Sequence, residues 1–145
     1  MEMLEGVRVL VVDDDVDLAT SVEDLLTLLG CRVATAHDLG RASDCVEREP
    51  PDVVVCDWNL EGERSDRFLR DLKRRRCRVG RVLLTGSPST EWERLVTERV
   101  VQLALSKPVD IGCLASAVAS AARCHACCRR KTAYSAGSGA QLATI

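Results

Sequence analysis

The chain has 145 residues, with 22 acidic and 20 basic side chains and a formal net charge of -2. This length fits one domain with a core of its own, and a charge so close to zero identifies no class of partner. No apolar run is long enough to span a bilayer, and residues 1–6 do not resemble a signal peptide. The eight cysteines do not form the pattern of a disulfide framework, so we expect a protein of the reducing cytoplasm.

Five apolar runs, several of them rich in valine, predict buried strands. They cover residues 7–12, 31–36, 52–56, 81–85 and 100–105. Apolar residues at helical spacing follow each run, over residues 18–29, 38–49, 68–72, 92–96 and 111–122. Gly30 is placed to end the first helix, and Asp38 to cap the second. Alternating strands and helices predict an α/β fold with a doubly wound, five-stranded parallel sheet.

We predict one domain over residues 1–128. Residues 129–145 are first basic and then rich in Ser, Gly and Ala, which is typical of a disordered tail. Single cysteines lie in apolar stretches, where we expect them to act as small buried hydrophobes. These are Cys31, Cys45, Cys56, Cys77 and Cys113.

Four potential zinc ligands lie within five residues near the end of the chain: Cys124, His125, Cys127 and Cys128. On a helix the three cysteines share a face, whereas His125 points away from it. Structural zinc sites usually draw their ligands from two separated pairs. We therefore favour a redox role, or none, over a metal site.

Polar side chains follow four of the predicted strands. Asp13 and Asp14 follow the first, Asp57 ends the third, Thr85 ends the fourth and Lys107 follows the fifth. In a doubly wound sheet, ligands bind outside the carboxyl ends of the strands. Paired carboxylates suit Mg²⁺, an Asp can accept a phosphoryl group, and a Lys and a Thr can contact its oxygens. This set predicts a site for Mg²⁺-dependent phosphoryl chemistry.

The acidic run VVDDDVD has a second interpretation as a helix start, because negative charge is favoured at a helix N-terminus. One cap needs only one Asp. We therefore assign Asp15 and Asp17 to the start of the first helix and leave Asp13 and Asp14 for the site.

The motifs VLVVDDD, VVVCDWNL, LLTG and SKPVD occur in one order along residues 6–125. In this combination the chain resembles the receiver domain of two-component response regulators. The resemblance implies a flavodoxin-like (βα)5 fold with strand order 2-1-3-4-5. It also implies that Mg²⁺ is the cofactor.

The resemblance further implies a role for each matching residue. Asp57 matches the phosphoacceptor, Thr85 the switch hydroxyl and Lys107 the partner of the phosphoryl group. Asp14 matches the direct Mg²⁺ ligand, Asp13 an acid that acts mainly through water, and Asn59 a residue whose backbone carbonyl binds the metal. Pro108 matches a proline that in the family often follows a cis peptide bond. Trp58, next to the phosphoacceptor, is either a reporter of the site or a half-exposed loop aromatic.

The function that this implies is that of a stand-alone receiver in the cytoplasm, not an enzyme beyond its own phosphorylation and hydrolysis. Its partners would be a histidine kinase or histidine phosphotransfer protein and an unknown protein target, with a homodimer possible. No recognition motif for DNA is present. Ala104 replaces the family's usual aromatic, Glu61 a usual Pro and Ser65 a usual Gly, so we expect an atypical output face.

Two alternatives stay open. A degenerate receiver would bind partners without phosphorylation, and Ala104 favours it mildly. A phosphatase of the haloacid dehalogenase type would use Asp13 and Asp15 as its D-x-D pair. That type needs a further acidic pair beyond the Lys, whereas only Asp110 follows Lys107, and it gives Asp57 no role.

Overall fold

A computed structural model describes residues 3–86 and 91–133, with side chains as far as Arg123. Within these residues there are seven strands, five of which form one parallel sheet. The strands are β1 (Arg8–Val12), β2 (Arg32–Ala36), β3 (Val53–Asp57), β4 (Asn59–Leu60), β5 (Glu63–Arg64), β6 (Gly80–Thr85) and β7 (Leu103–Ser106). The sheet has the order β2-β1-β3-β6-β7, all parallel. With the two-residue strands set aside, this is the expected order 2-1-3-4-5, and the predicted α/β fold is confirmed.

Five helices cover the two faces of the sheet: α1 (Val16–Leu28), α2 (Leu39–Arg48), α3 (Asp66–Arg75), α4 (Glu93–Thr97) and α5 (Ile111–Ala133). Asp15 caps α1 by accepting from the Leu18 backbone N–H at 3.1 Å, and Asp38 caps α2 by accepting from that of Arg41 at 2.7 Å. Both caps agree with the sequence-based assignment. Within the described residues, no helix is long and apolar enough to cross a bilayer.

The core lies in two layers, one on each face of the sheet. In β1, Val9 and Val11 pack with residues of α1 and α5, whereas Leu10 and Val12 pack with residues of α2, α3 and α4. Alternate side chains of a strand point to opposite faces, so a strand covered on both sides must be apolar throughout. This is why the central strands read as continuous apolar runs.

The last strand differs from its prediction, since it begins at Leu103 and not at residue 100. Val100 and Val101 are buried, but their N–H groups both donate to the Leu95 carbonyl and so close the end of α4. The buried Arg81 guanidinium donates through Nε to the Val100 carbonyl at 2.6 Å. Because these hydrogen bonds use the backbone groups of Val100 and Val101, the two residues do not pair with β6. The backbone N–H of Gln102 donates to the Arg81 carbonyl, and the strand begins at the next residue.

The hairpin formed by β4 and β5 was not predicted. Asn59 pairs with Arg64 and Leu60 with Glu63. The two turn residues, Glu61 and Gly62, have φ values of 51° and 79°. Two successive positive φ values are typical of the tight turns that suit two-residue hairpins, where Gly is favoured. The Glu-Gly pair was the available signal, but each strand has only two residues and gives no periodicity.

The cysteine prediction is correct in part. Cys31 and Cys56 are buried and Cys45 is half-buried, but Cys77 and Cys113 are exposed. Cys77 follows the end of α3, and Cys113 lies in the first turn of α5, where neither faces the core. All five are free thiols, as expected for a chain without a disulfide framework.

Helix α5 extends to Ala133, so residues 129–133, predicted to begin the disordered tail, are helical. Residues 134–145 lie outside the described part of the chain, and the boundary of the domain at residue 128 stays a prediction. The four potential zinc ligands lie within the span of α5: Cys124, His125, Cys127 and Cys128. Their side chains are outside the described part of the chain, so their role stays a prediction.

Gly80 lets the sheet approach α5 closely. A Cβ at this position would lie 2.7 Å from the Ala121 carbonyl oxygen and 2.9 Å from its carbon. We expect Gly80→Ala to separate β6 from α5 and to lower the free energy of unfolding by about 1–3 kcal/mol, measured by urea denaturation. Gly86→Ala is the control, because its Cβ would meet only Lys107 Cδ, at 3.8 Å. Equal stability of the two variants would contradict the steric argument.

Candidate functional site

The site lies at the carboxyl edge of the sheet, where four strands end. Asp13 and Asp14 follow β1, Asp57 ends β3, Thr85 ends β6 and Lys107 follows β7. The strands are parallel and in register, with Asp57 beside Leu84 and Thr85 beside Ser106. The five residues therefore reach one edge of the sheet from four separate strands, as the sequence predicts.

Asp13 is fully buried and held at three points. Its Oδ1 accepts from the Asp15 backbone N–H at 2.9 Å, and its Oδ2 lies 3.5 Å from Lys107 Nζ. Its carbonyl oxygen lies 3.0 Å from Nδ1 of His37. Burial raises the pKa of Asp13, and the nearby Asp57 charge acts in the same direction, whereas the Asp15 N–H and Lys107 oppose it.

The raised pKa of Asp13 predicts how stability depends on pH without divalent cations. Because the folded protein holds this proton more tightly than the unfolded chain, stability is lost as pH rises from the unfolded pKa, near 3.8, through the higher folded pKa. We therefore expect Asp13→Asn to raise the thermal midpoint by a few degrees at pH 7 in EDTA, and not below pH 3.8. Calorimetry beside the exposed Asp44→Asn control measures this. A lower midpoint for Asp13→Asn at pH 7 would contradict it.

Lys107 joins the two buried carboxylates. Its Nζ lies 3.1 Å from Asp57 Oδ1 as well as 3.5 Å from Asp13 Oδ2, and its backbone N–H donates to the Thr85 carbonyl at 2.9 Å. The peptide bond to Pro108 is cis, as the resemblance implied. The side chain of Lys107 is only 23% exposed, so its ammonium group is stabilised by these two carboxylates more than by water.

Three carboxylates, those of Asp13, Asp14 and Asp57, place ligand oxygens within 4.8 Å of one another. Asp14 is half-buried, and its Oδ2 accepts from the Glu61 backbone N–H at 2.8 Å. Hard oxygen donors grouped around a partly open position suit Mg²⁺, which binds few carboxylates and keeps several waters. The chemistry of this set fits the cation that the sequence predicts.

Four further residues named in the sequence analysis lie at or near the site, and one prediction about them is wrong. Thr85 is buried at the end of β6, and Asn59 is exposed at the start of β4. Trp58 is 5% exposed, so its interpretation as a half-exposed loop aromatic is wrong. It packs in the core below the site, and the Arg64 guanidinium lies 5.8 Å from its ring centroid. Ala104 pairs with Leu83 and is half-buried.

Two contacts at the site were not predicted. His37 follows the second predicted strand and had no predicted role, and Glu61 was noted only as the residue that replaces a usual Pro. The structure gives His37 a contact with the Asp13 carbonyl and Glu61 a hydrogen bond that orients Asp14. The second follows from the hairpin turn, whose positive φ at Glu61 turns its N–H toward the acid.

The comparisons decide the family. The family model described as response regulator receiver domain matches residues 9–119 of the chain. The chain belongs to this family. Transcriptional regulatory protein PrrA of Mycobacterium bovis, and that of Mycobacterium tuberculosis, are each 47% identical to it over 53 residues. This match covers 37% of the chain and 23% of PrrA, so the chain spans less than a quarter of these curated relatives in the match.

Solved receiver domains share the fold. A signal receiver domain of an HD domain-containing protein from Pseudomonas fluorescens has a TM-score of 0.80 at 22% identity, covering 90% of this chain and 97% of that one. A CheY-like receiver from Methanospirillum hungatei has a TM-score of 0.78 at 21% identity, covering 84% and 98%. A receiver domain from Clostridium thermocellum has a TM-score of 0.75 at 23% identity, covering 88% and 99%.

Proposed function

We propose that this receiver domain accepts a phosphoryl group on Asp57, in the cytoplasm, from a histidine kinase or histidine phosphotransfer protein. The observation that carries the proposal is the contact of 3.1 Å between Asp57 and Lys107, beside two further carboxylates at one strand edge. The output would be a protein–protein contact or onward phosphotransfer. Beyond its own phosphorylation and hydrolysis, the protein would not act as an enzyme.

The reaction uses Asp57 as the nucleophile. One of its carboxylate oxygens forms a bond to phosphorus while the bond from phosphorus to the leaving group breaks, so acetyl phosphate would release acetate. Asp14 and Asp57 would hold Mg²⁺, with Asp13 acting through water and the Asn59 carbonyl as a further ligand. The cation would supply positive charge to offset the charge on the transferring group. Lys107, whose Nζ lies 3.1 Å from Asp57 Oδ1, would pair with a phosphoryl oxygen. Thr85, at the end of the adjacent strand β6, would hydrogen-bond an oxygen of the phosphoryl group on Asp57.

The test is to incubate the protein with acetyl phosphate and Mg²⁺ and to follow its intact mass. We expect one phosphoryl adduct, which is lost when EDTA replaces Mg²⁺. Hydroxylamine should remove the adduct, because an aspartyl phosphate is an acyl phosphate. A folded protein that binds Mg²⁺ and gives no adduct would contradict the proposal.

Asp14→Asn is expected to weaken Mg²⁺ binding at least about tenfold, which corresponds to ~1.4 kcal/mol. The variant removes one of three clustered charges and keeps the size of the side chain. Binding can be followed by the fluorescence of Trp58 in a Trp92→Phe background, since Trp58 adjoins the site. Asp17→Asn, in the first turn of α1, is the matched control and should bind as wild type. Equal affinity of both variants would exclude Asp14 as a ligand.

A dehalogenase-type phosphatase has little support in this geometry. Its nucleophile would be Asp13, which is buried and has its two oxygens beside the Asp15 N–H and Lys107. Its second acid would be Asp15, whose carboxylate caps α1 instead. A degenerate receiver is favoured only by Ala104, and the complete acidic set together with Lys107 argues against it.

A further inference from the structure

A groove lies at the other end of the sheet, between the first residues of β1 and β2 and the last turn of α2. This open groove has a volume of about 330 Å³, within the range of small-molecule sites. Leu10, Ala34, Cys45 and Pro51 line it with apolar surface. No residue of the proposed phosphorylation site takes part in it.

The groove exists because small side chains lie where the sheet edge meets α2. Ala34 stands beside Leu10 in the register of β2 and β1, on the face that α2 covers. Helix α2 buries Ala42 and Val46 against that face. Cys45 remains only half-buried and Ala34 exposed. The short Ala34 side chain leaves a cleft beside α2, whose accessible apolar surface comes mainly from Ala34 and Cys45, with the buried Leu10 beneath them.

The rim of the groove is positively charged. Arg8, Arg32 and Arg48 line it together with one acid, Glu49, which leaves a formal charge of +2. Glu49 lies 3.6 Å from Arg8. Among the residues that the structure describes, Arg32 and Arg48 take part in no ion pair. Guanidinium groups are suited to carboxylates and phosphates, which they can bind with two parallel hydrogen bonds.

We propose that this groove binds a small amphipathic anion, with an apolar body over Leu10 and Ala34 and a carboxylate or phosphate group between Arg32 and Arg48. The apolar floor and the cationic rim together select this class of ligand: a hydrophilic anion would leave the floor exposed, and a neutral apolar molecule would leave the rim without a partner. A macromolecule is not needed, since the cavity holds only a small group.

The groove is separate from the acidic site. Arg8 and Arg32 begin their strands, whereas Asp13 follows the other end of β1, about 16 Å away for a five-residue strand. Binding here can therefore be tested without reference to phosphorylation. Failure of the ligand proposal would leave the proposed function of Asp57 untouched, and the reverse also holds.

The experiment is a fluorescence titration of the full chain with 1-anilinonaphthalene-8-sulfonate, an aromatic body that carries one anionic group. We expect saturable binding that Arg32→Glu weakens at least about tenfold. Ala34→Leu, which fills the floor from an exposed position, should abolish it. Arg41→Glu is the control: it makes the same charge change on α2 outside the groove and should bind as wild type. Thermal unfolding of each variant verifies that it is folded.

Competition identifies the source of the anionic group. Displacement of the probe by octanoate and not by AMP would assign an acyl carboxylate, and the reverse would assign a nucleotide phosphate. The proposal is overturned if wild type shows no saturable binding, if Arg32→Glu and Ala34→Leu bind the probe as Arg41→Glu does, or if neither competitor displaces it at millimolar concentration.

Discussion

Asp57→Asn is expected to abolish the phosphoryl adduct that acetyl phosphate forms with wild type. The amide keeps the size of the side chain, so β3 and its pairing to β6 should stay intact, but the amide oxygen is not an effective nucleophile for phosphorus. Intact mass spectrometry at saturating Mg²⁺ measures the adduct. We expect a loss of at least about 10²-fold in the initial rate.

Asp44→Asn is the matched control for this variant, because Asp44 is an exposed Asp on α2 and the substitution changes the net charge equally. It should be phosphorylated as wild type. Circular dichroism and thermal unfolding should show that both variants are folded. A normal adduct on Asp57→Asn would place the phosphoryl group elsewhere and would overturn the assignment of the nucleophile.

Lys107→Met is expected to change metal binding and phosphorylation in opposite directions. Lys107 Nζ lies 3.1 Å from Asp57 and 3.5 Å from Asp13, so it competes with a divalent cation for the same carboxylates. Without this charge, Mg²⁺ affinity should rise, by about tenfold on a Coulomb estimate for a well-solvated site. Phosphorylation by acetyl phosphate should slow by about 10²-fold, because the transferring group loses a positive partner.

Calorimetric titration with Mg²⁺ and the initial rate of adduct formation measure the two effects. Lys73→Met is the control, since Lys73 is exposed on α3 and donates to the Glu98 carbonyl, far from the acids. A fall in both quantities would indicate that Lys107 mainly maintains the fold of the site. An unchanged phosphorylation rate would remove Lys107 from the proposed chemistry.

Most of the fold and of the site follows from local patterns in the chain. The apolar runs that become β1, β3 and β6 are continuous because both faces of the sheet are covered, and the polar residues that follow them must then meet at one edge. The five residues of the site were predicted on this ground, and the structure brings them together. The caps Asp15 and Asp38 follow from the same kind of local rule.

The parts that could not be predicted depend on contacts between distant segments. The first residues of the run at 100–105 are apolar because they are buried, yet Leu95 and Arg81 take their backbone groups, which no periodicity reveals. Trp58 is buried in a cluster to which β1, α3 and β6 contribute residues distant in sequence. The hydrogen bond from Glu61 to Asp14 joins residues 47 positions apart. Each of these needs the tertiary fold.

The most direct test of the central claim is to locate the phosphoryl group in the wild-type chain. After reaction with acetyl phosphate and Mg²⁺, borohydride converts an aspartyl phosphate into homoserine, and peptide mass mapping then finds the altered residue. We predict homoserine at position 57 and at no other position. Homoserine at position 13 would support the dehalogenase-type alternative, and either that result or unmodified Asp57 in a phosphorylated protein would contradict the role of Asp57 as phosphoacceptor.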